Sequence, residues 1–270
     1  MKKTAVFMLI ILFVSICSCS ASQNKKIHFD SYNHVDNPPD MKDAWICDVD
    51  DDYRPRNGIF TIPETDFDGI SVAGIGNYAI TNVTGITDIV IGDHIEWISD
   101  YGIGYMPNLK TVTIGKGLKD IRIGLFIDCP QLETIIIDSE NPYFISYHGA
   151  IYTKDGKTLV RAWGKTNSFF EGVDTIEEFA FMNNDAITSI VLPETVTTIM
   201  QGAFTRCEKL ESVILPDQIQ YIGFSAFRRN SQVDVVIYAN AETDFSSFAN
   251  GWDDMGNEGS LVISPKKQGS

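Results

Sequence analysis

Leu210-Glu-Ser-Val-Ile-Leu-Pro216, running on to Ala226-Phe227, holds a pattern that the chain repeats. Phe227 is preceded by Phe204 and Phe181, 23 positions apart each time, and Phe126, Ile103 and Ile80 continue the series upstream. Other apolar positions keep the same step. One series is Ile89, Val112 and Ile135, then Ile190, Val213 and Val236; another is Ile91, Ile114 and Ile137, then Leu192, Leu215 and Tyr238. Val72, Ile95 and Leu118, then Val173, Val196 and Ile219, form a third, and Ile75, Ile98 and Ile121, then Ile176, Ile199 and Ile222, follow it three residues later. The step from Leu132 to Ile187 is 55, which is one 23-residue unit with 32 residues inserted. A fixed period of this length is the signature of a solenoid.

The Val-x-Ile piece of each unit alternates and is β-branched, so it predicts a short strand with one face inward. Pro193 and Pro216 stand at the ends of two such pieces, where a missing N–H does little harm. One unit cannot bury its apolar side alone. Stacked units close a shared core and align their strands as a parallel sheet.

The quoted residues resemble the BspA-type leucine-rich repeat family of bacterial surface proteins, over roughly residues 59 to 238. Thr61-Ile-Pro-Glu-Thr65 with Ile70 through Ile80 resembles the family's opening unit. Asn141-Pro-Tyr143 through Leu159-Val160 resembles its recurrent hairpin insert. Asp155-Gly156 is by itself a favoured two-residue hairpin turn between Ile151-Tyr152 and Leu159-Val160. Ile80 and Ile103 stand where later units carry Phe, which keeps the core apolar. The resemblance implies an α/β solenoid, a right-handed leucine-rich repeat superhelix with a parallel β-sheet along one face, little regular helix and one β-hairpin insertion. It also implies attachment at a cell surface, often to host or neighbouring-cell components.

The chain opens Met1-Lys-Lys3, followed by an apolar run from Ala5 to Val14, which is a secretory signal too short for a membrane span. Ile16-Cys-Ser-Cys19 resembles a bacterial lipoprotein box with Cys19 as the lipid attachment residue. Ser20 after it resembles outer-membrane sorting. The expected organisation is a signal at 1–18, a tether at 19–40, and an N-terminal cap and opening unit at 41–75. The solenoid follows at 76–238, with the insertion at 138–172, and a C-terminal cap and tail at 239–270, where Leu261-Val-Ile263 is the expected cap strand.

The net charge is −15, and loss of Lys2 and Lys3 with the signal makes it two units more negative. Such a surface repels nucleic acid and anionic membrane, and favours cationic patches or neutral sugars. Membrane contact is expected only through the lipid. Cys47, Cys129 and Cys207 remain after Cys19, an odd count that suggests no disulfide framework. Cys129 and Cys207 share the unit position of Asn184 and Asn230, a buried turn ladder. His28, His34, His94 and His148 stand in no metal-ligand spacing. Asp48-x-Asp50-x-Asp52 is like the start of a calcium loop, but Tyr53 and Ile59 replace the required Gly and Glu. No nucleophile motif or paired-carboxylate cleft stands out, so the expectation is a non-enzyme without cofactor or metal.

The strand residues between the inward pairs are Val90, Thr113, Ile136, Val191, Ile214 and Ile237, expected to form one continuous outward ridge. Partner contact on this ridge makes the chain a protein-binding, adhesive module. Aromatic residues near the insertion, Tyr147 and Trp163 among them, offer an alternative glycan-binding surface for polysaccharide capture. A structural envelope component is the third expectation.

Overall fold

The computed structural model describes residues 26–31, 43–166, 168–228, 235–240, 242–252 and 261–265. Each turn of the coil lays down strands on three faces. On the first, Ile59–Thr61, Asp88–Ile91, Thr111–Ile114 and Thr134–Ile137 are parallel neighbours, with Ile89 beside Val112 and Val112 beside Ile135. On the second, Val72–Ile75, Trp97–Ile98 and Asp120–Ile121 stack in the same way. The third is narrow: Ile80–Thr81 pairs with Ile103–Gly104, and a bridge from Gly104 to Ile127 extends it. Beyond the insertion the first face resumes as Ser189–Val191, Ser212–Ile214 and Val235–Ala239. The second resumes as Thr175–Ile176, Thr198–Ile199 and Tyr221–Ile222. Ile89, Val112 and Ile135 are buried, as the alternation demands.

Among the described residues there is no α-helix, only 3-10 turns at Arg56–Gly58 and Phe245–Ser247. The expected leucine-rich repeat solenoid with its parallel sheet is present, and the little helix expected of it is absent among the described residues. Two corners of each turn are made by single residues in the left-handed region. Asn82, Tyr105, Asp128, Asn183 and Arg206 form one such ladder, with φ between 50° and 60°. Tyr78, Tyr101, Gly124, Phe179, Gly202 and Ser225 form the other. A bend this sharp leaves no length for a helix. Where an aromatic ring sits on the second ladder, the next turn must stack on it or leave room. Tyr101 stacks on Tyr78 at 4.9 Å, whereas a Cβ on Gly202 would lie 2.4 Å from the Phe179 ring. Inside, Phe181, Phe204 and Phe227 stack in series at 4.8 and 5.4 Å, all fully buried.

The insertion is more than a hairpin. Phe144–Tyr147, Ala150–Thr153 and Thr158–Ala162 form an antiparallel three-stranded meander, and its last strand pairs parallel with Thr175–Ile176. The two-residue turn is His148-Gly149, both at positive φ, between the paired Tyr147 and Ala150. Asp155-Gly156 instead lies within a four-residue loop, where Asp155 accepts hydrogen bonds from Thr153 Oγ1 and the Lys157 N–H. The meander wedges between turns and divides the core in two. Phe144, Ile151 and Trp163 pack with the N-terminal core. Ala150, Tyr152, Leu159 and Ala162 pack with the C-terminal core. Alternate residues of one strand thus face opposite cores, as a strand buried on both sides requires.

Two boundaries differ from expectation. Ile27–Ser31, inside the stretch expected as tether, is a strand paired antiparallel with Ala44–Val49, which in turn pairs parallel with Val72–Ile75. This hairpin caps the first turn and buries Phe29 in the N-terminal core. The last turn is one residue longer than the period: Val213 pairs with Ile237, a step of 24. A one-residue slip exchanges the faces of a strand, so Ile237 and Ala239 are buried while Val236 and Tyr238 are half-exposed. Leu261–Pro265 adds a final parallel strand beside Val235–Ala239. Cys129 and Cys207 are free.

Candidate functional site

Two surfaces compete as the site: the outward row of the first face and the seam opened by the insertion. On the row, Ile136 and Val191 are the most open, at 51% and 63% exposure. Val90, Thr113 and Ile214 are half-buried. Ile237 does not belong to the row, because the slip in the last turn turns it fully inward and brings Tyr238 beside Ile214. Nor is the row continuous. The sheet containing Ile136 ends at Thr134–Ile137, and a separate sheet begins at Ser189–Val191.

The seam is organised by Arg161, a cation on the last insertion strand and 5% exposed. Its Nε donates to the Leu125 carbonyl at 2.7 Å on one side of the seam. On the other side Nη1 donates to the carbonyls of Phe179, at 2.7 Å, and Ala180, at 3.5 Å, and Nη2 to that of Met182, at 3.0 Å. Elsewhere these carbonyl positions accept backbone N–H groups from the preceding turn, as Ala203 accepts from Phe181 and Thr205 from Asn183. The wedge has taken the place of the preceding turn: its Ala162 N–H donates to Ala180 at 2.8 Å, and the guanidinium supplies the donor at Met182. Burial pulls the Arg161 pKa down to about 10, which leaves it charged at neutral pH. The sequence carried a signal for it that the periodicity hid: a lone Arg between Val160 and Ala162 in a strand with apolar residues on both faces.

Beside Arg161 the seam opens into a pocket of about 700 Å³. Phe126, Leu132, Met182 and Trp163 give it buried apolar walls. Asn82, Tyr105, Asp128 and Asn183, four members of the first left-handed ladder, line it from successive turns. Asn183 reaches Asp128 across the seam at 3.4 Å. Asn184 occupies the ladder position of Cys207, whose thiol donates to the Phe181 carbonyl of the turn before at 3.0 Å. Asn184 has no equivalent acceptor, and its buried Nδ2 lacks a hydrogen-bond partner. Burial pushes the thiols of Cys129 and Cys207 up to about 12, so both stay neutral and inert.

The insertion aromatics do not form one patch. Tyr147 is partly exposed and packs edge-on against His148 and Phe170. Trp163 is 8% exposed and belongs to the wall of the seam instead of the outer surface. Tyr152 is fully buried, its hydroxyl pKa raised to about 12 by that burial. The acidic turn also rearranges. Asp52 pairs with Lys26, and His28 joins Asp48 and Asp50 instead, with Nε2 2.9 Å from Asp50. One ligand atom from each of those three lies within 4.8 Å of the others. Cys19, expected from the sequence to carry the lipid, lies outside the described residues. No helix among those described is long and apolar enough to cross a membrane.

The family model for the BspA type leucine rich repeat region matches residues 60–148 and 165–250, in six copies. No curated protein matches the chain. Among solved structures, the pneumococcal vaccine antigen PcpA is 14% identical, with a TM-score of 0.44 over 92% of this chain and 88% of that one. A leucine-rich repeat protein from Eubacterium ventriosum is 15% identical, with a TM-score of 0.45 over 69% and 68%. The leucine-rich repeat protein of T. pallidum is 17% identical, with a TM-score of 0.42 over 90% and 99%.

Proposed function

The chain belongs to the BspA-type leucine-rich repeat family, and on that footing we propose that it is a surface-anchored, non-catalytic binding module whose first face meets another protein. The observation that carries this is the exposure of Ile136 and Val191, branched residues on the parallel strands of the first face. A partner suited to it presents an apolar patch flanked by Lys and Arg, since this chain carries a net charge of −15. The lipoprotein box at Ile16-Cys-Ser-Cys19 supports attachment through Cys19 at the cell envelope, with the solenoid held at the surface or outer membrane.

The test is a double substitution, Ile136→Asp with Val191→Asp, on the full chain displayed on cells. Both side chains are open to solvent, so the fold persists. Adhesion to protein-coated surfaces falls by tenfold or more if the face is the contact; unchanged adhesion with intact circular dichroism rejects it. Cys19→Ala separately abolishes metabolic labelling with a fatty acid, and retained labelling rejects the anchor.

A further inference from the structure

We infer that the pocket in the seam is a binding site for a neutral, hydroxyl-rich ligand, a carbohydrate of one to three rings. It shares no residue with the outward row and stands independently of the protein-contact reading.

The volume of about 700 Å³ lies in the range of small-molecule sites. The lining charges decide the ligand's charge. Arg161 and Lys209 are opposed by Asp128 and Asp185, so the lining is formally neutral in a strongly acidic chain. Arg161 offers an anion little, because the guanidinium already donates to four carbonyls, and the charge of Lys209 is balanced by the lining carboxylates. A cation is repelled by the fixed charge of the same group. What remains for recognition is a set of short polar side chains above apolar walls. Amides and carboxylates pair with hydroxyls as donors and acceptors in either sense. The apolar faces of Phe126 and Trp163 suit the C–H faces of a sugar ring.

The backbone of the lining points the same way. A peptide bound as an added strand would need free main-chain donors and acceptors. Here the N–H groups of Asn82, Tyr105 and Asn183 already donate to the next turn, to Tyr105, Ile127 and Thr205 respectively. Recognition therefore falls to side chains. Asn184 supplies the second, independent sign of a ligand. It is 6% exposed, it lines the pocket, and its Nδ2 is without a partner at the one turn where the wedge has removed the acceptor. A buried amide donor left unpaired is costly, and a ligand hydroxyl in the seam would satisfy it.

The experiment is saturation-transfer NMR on the full mature chain. The probes are neutral di- and trisaccharides (cellobiose, maltotriose, mannobiose, xylobiose and N-acetylchitobiose), with short neutral peptides and an acidic disaccharide as comparators. At least one neutral sugar gives signal at millimolar concentration, and Asn184→Ala weakens its binding tenfold or more. Asn183→Gly is the second variant; glycine accepts the φ of 58° at that position, so the backbone is not strained. Both variants keep the wild-type melting temperature within a few degrees. Silence from all the neutral sugars overturns the proposal. So does sugar binding unchanged in both variants, or preference for the peptides or the acidic sugar.

Discussion

Replacing Arg161 by Met tests whether one guanidinium joins the two halves of the coil. The substitution keeps an unbranched apolar stem and removes the fork. Two carbonyls lose their donor: Leu125 and Met182, now held at 2.7 and 3.0 Å. Phe179 and Ala180 are spared, because the Met182 N–H also donates to the first at 3.0 Å and the Ala162 N–H to the second at 2.8 Å. A buried acceptor left unpaired costs about 1–3 kcal/mol, so the gross loss for two is roughly 2–6 kcal/mol. Relief from keeping a charge out of water offsets part of it, and the net expectation is about 3 kcal/mol. With a urea slope of about 3 kcal/mol per molar, the midpoint falls by roughly 1 M. The loss is local to the seam, so the transition also splits. Hydrogen exchange at the Val112 and Val213 amides, one in each core, then reports different opening energies. Lys at position 161 recovers only part of the loss, since a point charge cannot hold three carbonyls in the plane of a fork. An unchanged midpoint with a single transition in the Met variant would refute the role assigned to Arg161.

Phe204→Ala removes the middle ring of the buried stack and is expected to cost about 3–5 kcal/mol by chemical denaturation, with the C-terminal core opening first. Gly202→Ala places a Cβ 2.4 Å from the Phe179 ring at a φ of 60°, and a loss of about 1–3 kcal/mol follows from the strain and the clash; a neutral result would contradict the close packing of that corner. Iodoacetamide at pH 8 leaves Cys207 and Cys129 unlabelled in the native chain and labels both after unfolding, because burial holds both thiols near 12; peptide mass spectrometry reads the sites. Asp155 is held below its ordinary value of 3.8 by donors from Thr153 and Lys157. A depressed carboxyl lends its stabilisation above the unfolded pKa and loses it as pH falls through the folded one. Amide exchange at Gly156 therefore accelerates below pH 3.8, and Asp155→Asn flattens that dependence.

The coil was legible because burial repeats with the step: Ile89, Val112, Ile135, Ile190 and Val213 all face inward, as their period requires. What escaped has definite physical causes. Counting 23 from Ile214 places Ile237 outward, and one extra residue in the last turn reverses it. The insertion was legible as strands but not as a partition. Its adjacent apolar pairs, Phe144-Ile145, Ile151-Tyr152 and Leu159-Val160, suit a strand covered on both sides, whereas a surface hairpin would alternate with polar residues. The left-handed corners are hidden because Tyr, Phe and Arg are not the residues that ordinarily mark positive φ. Only their shared step of 23 ties Tyr105 to Asp128. Of the candidate site, Trp163 was singled out from the sequence, but Arg161 and Asn184 gain their meaning only from a seam that sequence spacing does not show.

The partition has a consequence for how such chains can change over generations. Each side of it is a pile of near-identical layers, and a layer gained or lost at either distant end leaves the three inserted strands and their immediate neighbours untouched. Reach and curvature can therefore drift while the cleft keeps its shape, so relatives of very different length could share one ligand.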